Sequence, residues 1–411
     1  MQPNGCASFF VFIGVKMAFD TYDTNSNGDE VVKTSRITEK DVLVVRDYSK
    51  KRNNVNWGQF DTSVFDKDDI ILLVDGDWLA FASTSNEMVR SVDFEHDGKV
   101  INFESCYTGI KKYCNENNLD YVPNCGVKKH YMKDNSIRNA KSTIKKKLFK
   151  AISKTKATKV VMFLGSTGNH RSSLPLPKLN NIGHFNYKGQ REPEWTPTDL
   201  PEIKKWLHNT WMSHWAMDEE ADDCITITKH ELDTKGVKSY IHGVDKDYNG
   251  EQIGGLYILG HQTNPEWWED TEENKLGWIR STKTKGNSNK MIGHGDMFLA
   301  YQIITSDDAD NYSAKAMLKE FGTLKSFGIK DCEKYLIQFK TRKELWQGVL
   351  DFFIKYLPSE FEYEDCFGVT HKATPLTMLD LYFKCAKMRE HKDHIADVIN
   401  DRLKPLGIPY D

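Results

Sequence analysis

Hydrophobic positions fall into two textures along this chain. From Asp69 to Asp75 the sequence reads Asp-Ile-Ile-Leu-Leu-Val-Asp, an unbroken apolar run closed by a carboxylate. Lys159-Val-Val-Met-Phe-Leu164 is a second such run, and Val237-Lys-Ser-Tyr-Ile-His-Gly-Val244, more mixed and followed by Asp245, is a third. Continuous runs of this length are what strands buried on both faces look like. Helical stretches lie between them, around 136–153 and 218–232. Strand–helix–strand alternation predicts an α/β fold, a mostly parallel central sheet flanked by helices. Beyond about residue 296 the strand signal fades and helical periodicity dominates, notably over Lys343–Tyr356 and Pro375–Arg389. The segment 165–217 shows little regular pattern, and a loop that long within a compact domain is usually functional or disordered. The expected organisation is a peripheral extension over 1–55, an α/β domain over 56–295 and a helical region over 296–411.

Topology then points to a site. In open α/β sheets the ligand lies outside the carboxyl ends of the parallel strands, and two of the three runs deliver Asp75 and Asp245 to that edge. Four acidic groupings stand out: Asp75-Gly-Asp77, Glu219-Glu-Ala-Asp-Asp223, Asp245-Lys-Asp247 and Asp307-Asp-Ala-Asp310. Each alone reads as a turn or a solvated surface. Gathered at one sheet edge they would repel one another, with raised pKa values, and divalent cations would resolve that repulsion. An all-oxygen donor set favours Mg²⁺ or Mn²⁺ over zinc. Two such ions would activate a water and stabilise the leaving oxygen in phosphodiester cleavage. Glu220, Asp222 and Asp223, at the start of a predicted helix, offer three carboxylates from one turn of chain.

Composition narrows the reading. With 411 residues, 56 Lys+Arg against 59 Asp+Glu and a net charge of −3, two or three domains are expected and a uniformly basic nucleic-acid coat is not. The balance conceals a local run: residues 128–159 hold twelve basic side chains and a single acidic one, Asp134. That run is either a solvated helix face or a surface that tracks phosphates. No apolar stretch reaches the ~18 residues of a membrane span. The eight cysteines form no C-x-x-C pair and read as reduced thiols in a cytosol-like compartment. Phe9–Val15 lacks the basic flank and the cleavage site of a signal peptide. Asp23-Thr-Asn-Ser-Asn-Gly28 imitates half of a Ca²⁺ loop, but Thr34 stands where a bidentate Glu is required, so a polar turn is expected.

Taken in order, these elements resemble the 5′-to-3′ exonuclease and flap-endonuclease superfamily, in particular the replication exonucleases of short-tailed bacteriophages. The resemblance covers roughly residues 69–340. Leu73-Val-Asp-Gly-Asp-Trp-Leu-Ala-Phe81 is similar to the family's first strand, Glu220-Ala-Asp-Asp223 to its E-A-D-D element, Val244-Asp-Lys-Asp-Tyr248 to its D-x-D element and Ser306-Asp-Asp-Ala-Asp-Asn311 to G-D-x-S-D-N. The resemblance implies metal ligands at Asp75, Glu220, Asp222, Asp223, Asp245, Asp247, Asp307 and Asp310. Tyr187-Lys-Gly-Gln-Arg191 resembles the Y-K-x-x-R at the base of a helical arch, here spanning 165–217, where Lys188 and Arg191 would meet the scissile phosphate. Arg171 matches an earlier basic position, and Tyr187 would offer a stacking face to DNA. Ser326-Phe-Gly-Ile-Lys330 is the counterpart of the hairpin in a helix–three-turn–helix DNA grip, with Gly328 and Lys330 as contacts. Two departures stand out. Ser166 falls where the family has an Asp after the second strand, leaving Asp77 as the candidate substitute, and Ser306 replaces a Gly.

The resemblance implies a PIN/FEN-like nuclease using two Mg²⁺ ions, with Mn²⁺ as substitute, on duplex ends, nicks, flaps and RNA primers. Asp75 and Asp245 would carry catalysis with Lys188 and Arg191. The implied setting is phage DNA replication in the host cytoplasm, by a monomer with replication proteins as possible partners and no membrane association. The alternative is a protein of the same fold that binds branched DNA without cutting it efficiently, with Ser166 as the first sign of decay.

Overall fold

The computed structural model describes residues 21–24, 30–33, 53–55 and 60–410, apart from 104–105, 121–126, 135, 166–167, 180–182, 185, 190–195, 251–253, 259–263 and 285–288. Ser166, Arg191, the 25–29 turn and the Phe9–Val15 run lie outside the described residues. In chain order, the elements that build the site are β1 (Asn53–Val55), β2 (Ile70–Asp75), α1 (Gly76–Thr84), α2 (Ile137–Thr155), β3 (Lys159–Gly165), α3 (Leu200–Thr210), β4 (Ser213–Ala216) and α4 (Ala221–Thr234). Then follow β5 (Lys238–Gly243), β6 (Gly254–Ile258), β7 (Glu266–Trp268), α5 (Gly295–Ile304), α6 (Ala314–Glu320), α7 (Ile329–Leu336), α8 (Arg342–Tyr356) and α9 (Pro375–Ala386).

Seven strands form the central sheet in the order β7-β6-β5-β2-β3-β4-β1. Every pairing is parallel except that of β6 with the edge strand β7. The expected mostly parallel α/β sheet is therefore present, and the three apolar runs occupy its middle. Their side chains alternate between two layers, as the two-residue period of a strand requires. Leu72, Val74, Val160, Met162 and Leu164 pack with Leu79 of α1, Ile144 and Leu148 of α2, and Ile203 and Leu207 of α3. On the opposite face, Ile71, Leu73, Val161 and Phe163 pack with Cys224, Ile225 and Leu232 of α4. Residues 71–74 and 160–164 are wholly buried, which is why neither run carries a polar interruption.

A separate core gathers α5 to α9. Met297, Phe298, Leu299, Ile303 and Ile304 of α5 are all buried because neighbours surround this helix, and its buried polar residues Asp296 and Gln302 are hydrogen-bonded. Leu176, Leu179 and Tyr187 join the same core and fasten the 165–217 segment to it.

Three elements differ from the sequence expectation. The 165–217 segment is not uniformly irregular: it contains α3, and β4 pairs within the central sheet. β4 was illegible because its buried positions Ser213 and His214 are polar. After residue 296 the chain returns to strand in the hairpin Phe361–Glu364 with Thr370–Ala373, whose sequence is charged and half solvent-facing. Residues 85–134 include a three-stranded antiparallel sheet that no apolar periodicity announced. Among the described residues no helix is long and apolar enough to cross a membrane.

Candidate metal centre

Sheet geometry decides which carboxylates meet. Asp75 closes β2, the middle strand, and caps α1: its Oδ1 accepts the Trp78 N–H at 2.9 Å. β5 runs parallel beside β2 and ends at Gly243. A Cβ at Gly243 would come within 2.9 Å of the Tyr248 ring and 3.4 Å of the Asp75 Cβ. Only glycine lets the turn that carries Asp245 and Asp247 fold back so close to Asp75. Asp245 accepts the Asp247 N–H at 3.0 Å, and Gln302 of α5 donates to Asp247 at 2.5 Å. From the other face, α4 begins at Glu220, with Asp222 and Asp223 in its first turn, where the helix dipole favours negative charge.

The charges report their own proximity. Burial, followed by the Asp77 and Asp245 charges, pushes the Asp75 carboxyl up to about 7. Burial, with the charges of Asp75 and Asp245, raises Asp222 well above the usual carboxylate range, although the Tyr248 hydroxyl donates to it. Asp247 is raised in the same way by burial and by Asp245, Asp307 and Asp310. Asp245 thus stands between two groups, Asp75 with Asp222 and Asp247 with Asp307 and Asp310. In the second group one oxygen from each carboxylate lies within 4.8 Å of the others. This donor set, buried, oxygen-only and mutually repelling, fits a hard divalent cation.

Cations border the cluster without neutralising it. Lys188 pairs with Glu220 and lies 3.7 Å from Asp310, while its own backbone N–H donates to the Asp310 carbonyl at 2.9 Å. Lys246 reaches Asp307 at 2.7 Å. Lys204, which the sequence reading overlooked, pairs with Asp77 at 2.8 Å and donates to the Gly165 carbonyl. The other Asp77 oxygen accepts the Gly165 N–H at 3.0 Å. Asp77 is thereby held by Lys204 and the Gly165 amide.

Three expected roles do not fit the geometry. Arg171, expected at DNA, is 3% exposed. All five of its N–H groups are taken, by Glu220, by both oxygens of Asp223 and by the carbonyls of Lys384 and Lys387. Asp223, expected as a ligand, spends one oxygen on Arg171 and the other on Arg171 and the Arg389 N–H. Burial alone would raise its pKa, but Arg171 holds it far below the usual range. Tyr187, expected as a stacking face, is buried, and its hydroxyl donates to Asp310 at 3.0 Å and Glu220 at 3.3 Å. It positions two carboxylates instead of meeting a base. Gly328 and Lys330 lie exposed where the chain enters α7, with the Gly328 N–H capped by Asp331 at 2.8 Å.

The fastening of α4 was invisible in the sequence. Arg389, fully buried, pairs with Glu219, whose other oxygen meets His170 at 3.2 Å. His170, Glu219 and Asp223 could sterically hold an ion, but both acids are already neutralised by arginine. A basic residue at the end of a predicted helix was the only signal, and its partner lies 170 positions away.

No protein-family model matches the chain, and no curated protein matches its sequence. Among solved structures, the chain is similar to the bacteriophage T5 flap endonuclease in a pseudo-enzyme–product complex with DNA and metal ions. That alignment covers 82% of this chain and 96% of the other at 12% identity, with a TM-score of 0.37. The T5 5′-exonuclease with bound zinc aligns over 68% of this chain and 79% of its own, at 12% identity and a TM-score of 0.35. A likeness of this grade assigns neither activity nor residue roles.

Two outcomes are expected from the site's electrostatics. Between its unfolded value of 3.8 and about 7, Asp75 holds a proton in the folded state that the unfolded chain has lost. Metal-free protein should therefore lose stability as pH rises through that window. Thermal unfolding in chelator should show a falling midpoint from about pH 4 to about pH 7, and millimolar Mg²⁺ or Mn²⁺ should raise the midpoint most at the higher pH. A midpoint indifferent to these cations would contradict the site. Arg171→Ala should cost roughly 3–5 kcal/mol in urea unfolding, because it strands Asp223 without a partner; a surface DNA contact at that position would leave stability unchanged.

Proposed function

We propose that this protein is a metal-dependent nuclease that hydrolyses DNA from 5′ ends. The observation that carries this reading is the convergence of Asp75, Asp222 and Asp245 with Asp247, Asp307 and Asp310 at the carboxyl edge of the parallel sheet, bordered by Lys188 and Lys246. Asp75, Asp222 and Asp245 would hold one divalent cation and Asp247, Asp307 and Asp310 a second, with Glu220 available to either only if Lys188 releases it. Two ions so held, Mg²⁺ or in its place Mn²⁺, supply an activated water and neutralise charge on the leaving oxygen.

The chain's own groups do the rest. Tyr187 fixes Glu220 and Asp310 relative to each other, and Arg171 fixes Glu220 to α4. Lys188 has its ammonium between the two carboxylate groups and would turn it onto a phosphate oxygen, stabilising the charge that builds in the transition state. Arg191 is proposed for the same task. The solvated side of α2, with Lys146, Lys150 and Lys154 exposed opposite its buried apolar stripe, would track the DNA backbone. At the start of α7 Lys330 would meet the duplex through its ammonium, with Gly328, which has no side chain, letting the backbone approach. Duplex ends, nicks and flaps, with RNA primers, are the proposed substrates, in phage replication within the host cytoplasm.

One observation favours the second reading, a DNA-binding protein that cuts poorly. Lys204 occupies Asp77, so the first cation group has no replacement for the acid absent at Ser166. Weaker occupancy there would leave binding intact and lower the rate. Asp245→Ala is expected to reduce nucleotide release from nicked duplex by about 10²–10³-fold in Mg²⁺, and Lys188→Ala by about 10²-fold, with DNA affinity largely kept. Gel-resolved cleavage of end-labelled duplex reads both. Unchanged cleavage in Asp245→Ala contradicts the nuclease, and absence of wild-type cleavage at any Mg²⁺ or Mn²⁺ concentration favours the binder.

A further inference from the structure

The insertion between β6 and α5 builds a feature that the acidic centre does not use. β7 and the hairpin Trp278–Lys283 with Asn289–His294 border a cavity of about 370 Å³, within the range of small-ligand sites. Its walls are aromatic. Trp268 lies against His294 with ring centroids 3.9 Å apart, and Trp278 meets the same imidazole edge-on at 5.7 Å. Lys246 and Lys290 also line it. Because Lys246 reaches Asp307 at 2.7 Å, the cavity begins one side chain away from the carboxylates.

Two polar atoms of these walls have no partner. His294 is 5% exposed and its Nδ1 makes no hydrogen bond; the indole N–H of Trp268 is likewise buried and unbonded. Buried polar atoms are nearly always satisfied, so an orphaned pair within one wall is a cost that packing alone does not explain; neither atom opens onto the cavity until its ring rotates. The chemistry of a ligand for the cavity can be read from the lining. Trp268 and Trp278 suit a π face, and Lys290, with Lys246 shared between the cavity and Asp307, suits a phosphate on the side away from the Glu266 carboxylate that also lines the cavity. Burial holds the His294 imidazole pKa down to about 4, so at neutral pH the ring is uncharged and recognises shape and hydrogen bonds, not charge.

We propose that this cavity receives one unpaired nucleotide of the substrate strand beside the cleavage point, its base against Trp268 and Trp278 and its phosphate toward Lys246 and Lys290. The identity of the strand rests on the nuclease reading above; the pocket's preference for a base does not. Such a pocket would favour nicks and flaps with a displaced nucleotide over fully paired duplex.

The test uses the cleavage-blocked Asp245→Ala chain with Mg²⁺ and a duplex carrying 2-aminopurine as a single-nucleotide 5′ flap. Binding should quench the 2-aminopurine emission, and adding Trp278→Ala should abolish most of the quench and weaken binding roughly 5- to 100-fold. Trp278 is 43% exposed, so its loss should leave the fold intact, which the melting curve checks. Lys290→Ala, also at an exposed position, provides a second variant and should weaken flap binding more than binding of a fully paired duplex. Equal quenching and affinity in Trp278→Ala and Trp268→Ala would overturn the proposal. So would displacement of the quench by millimolar deoxyadenosine monophosphate with the duplex still bound, since that marks a site for released mononucleotide. Wild-type cleavage of the same duplex, run alongside, reports on the nuclease reading independently.

Discussion

Repulsion among carboxylates buried at one edge of a parallel sheet is the constraint around which this molecule is organised. Burying a charge without a counter-charge is among the costliest acts in folding, and the structure meets it in two ways. Glu219, Asp223 and Asp296 are each met by fixed arginines. Arg389 takes Glu219, Arg171 takes Asp223, and Arg342 with Arg402 takes Asp296. For Asp223 and Asp296 burial would raise the pKa, but the guanidinium groups hold it below the ordinary range. Among the described residues Asp75, Asp222 and Asp247 have no such arginine, and their pKa values rise. The first class is architecture. The second is an unfilled demand for positive charge, and it is confined to the sheet edge where ligands of α/β folds bind.

That division explains why the C-terminal segment matters to a site so far from it in sequence. Arg171 ties the first turn of α4 to the Lys384 and Lys387 carbonyls, and the Arg389 backbone amide binds Asp223 in return. Thr226, one turn further along α4, donates to the Arg389 carbonyl at 2.6 Å. The helix that presents Glu220 and Asp222 is thereby pinned from the side opposite the sheet. Tyr187 and Lys188 perform the corresponding task across the cluster, joining Glu220 to the 307–310 turn. Preorganisation of this kind keeps like charges together before any cation arrives.

The sequence made the centre of the sheet legible because runs buried on both faces leave no polar residue to confuse the period. It made three of the acidic groupings legible because each follows a strand or opens a helix; the 307–310 turn, which follows α5, stood out only by its density of aspartates. It could not separate Asp222 from Asp223. The two are adjacent in one helical turn, about 100° apart around the axis, and only the distant Arg171 and Arg389 decide which is neutralised. Arg171 was assigned to DNA only by its match to a basic position of the resembling family, and a matched position carries no information on burial. β4 was hidden by polar residues that are nonetheless buried. The tryptophans at 267 and 268 carried no periodic message at all; their meaning depends on the edge strand β7 and on a hairpin that places His294 and Trp278 beside them.

The central claim is that the carboxylates at the sheet edge form two cation sites, one on Asp75, Asp222 and Asp245 and the other on Asp247, Asp307 and Asp310. Calorimetric titration of the metal-free chain with Mn²⁺ tests it most directly. The account predicts two ions per chain, with Asp222→Asn removing one and Asp310→Asn the other. A chain that binds no ion, or whose stoichiometry survives both substitutions, would contradict it.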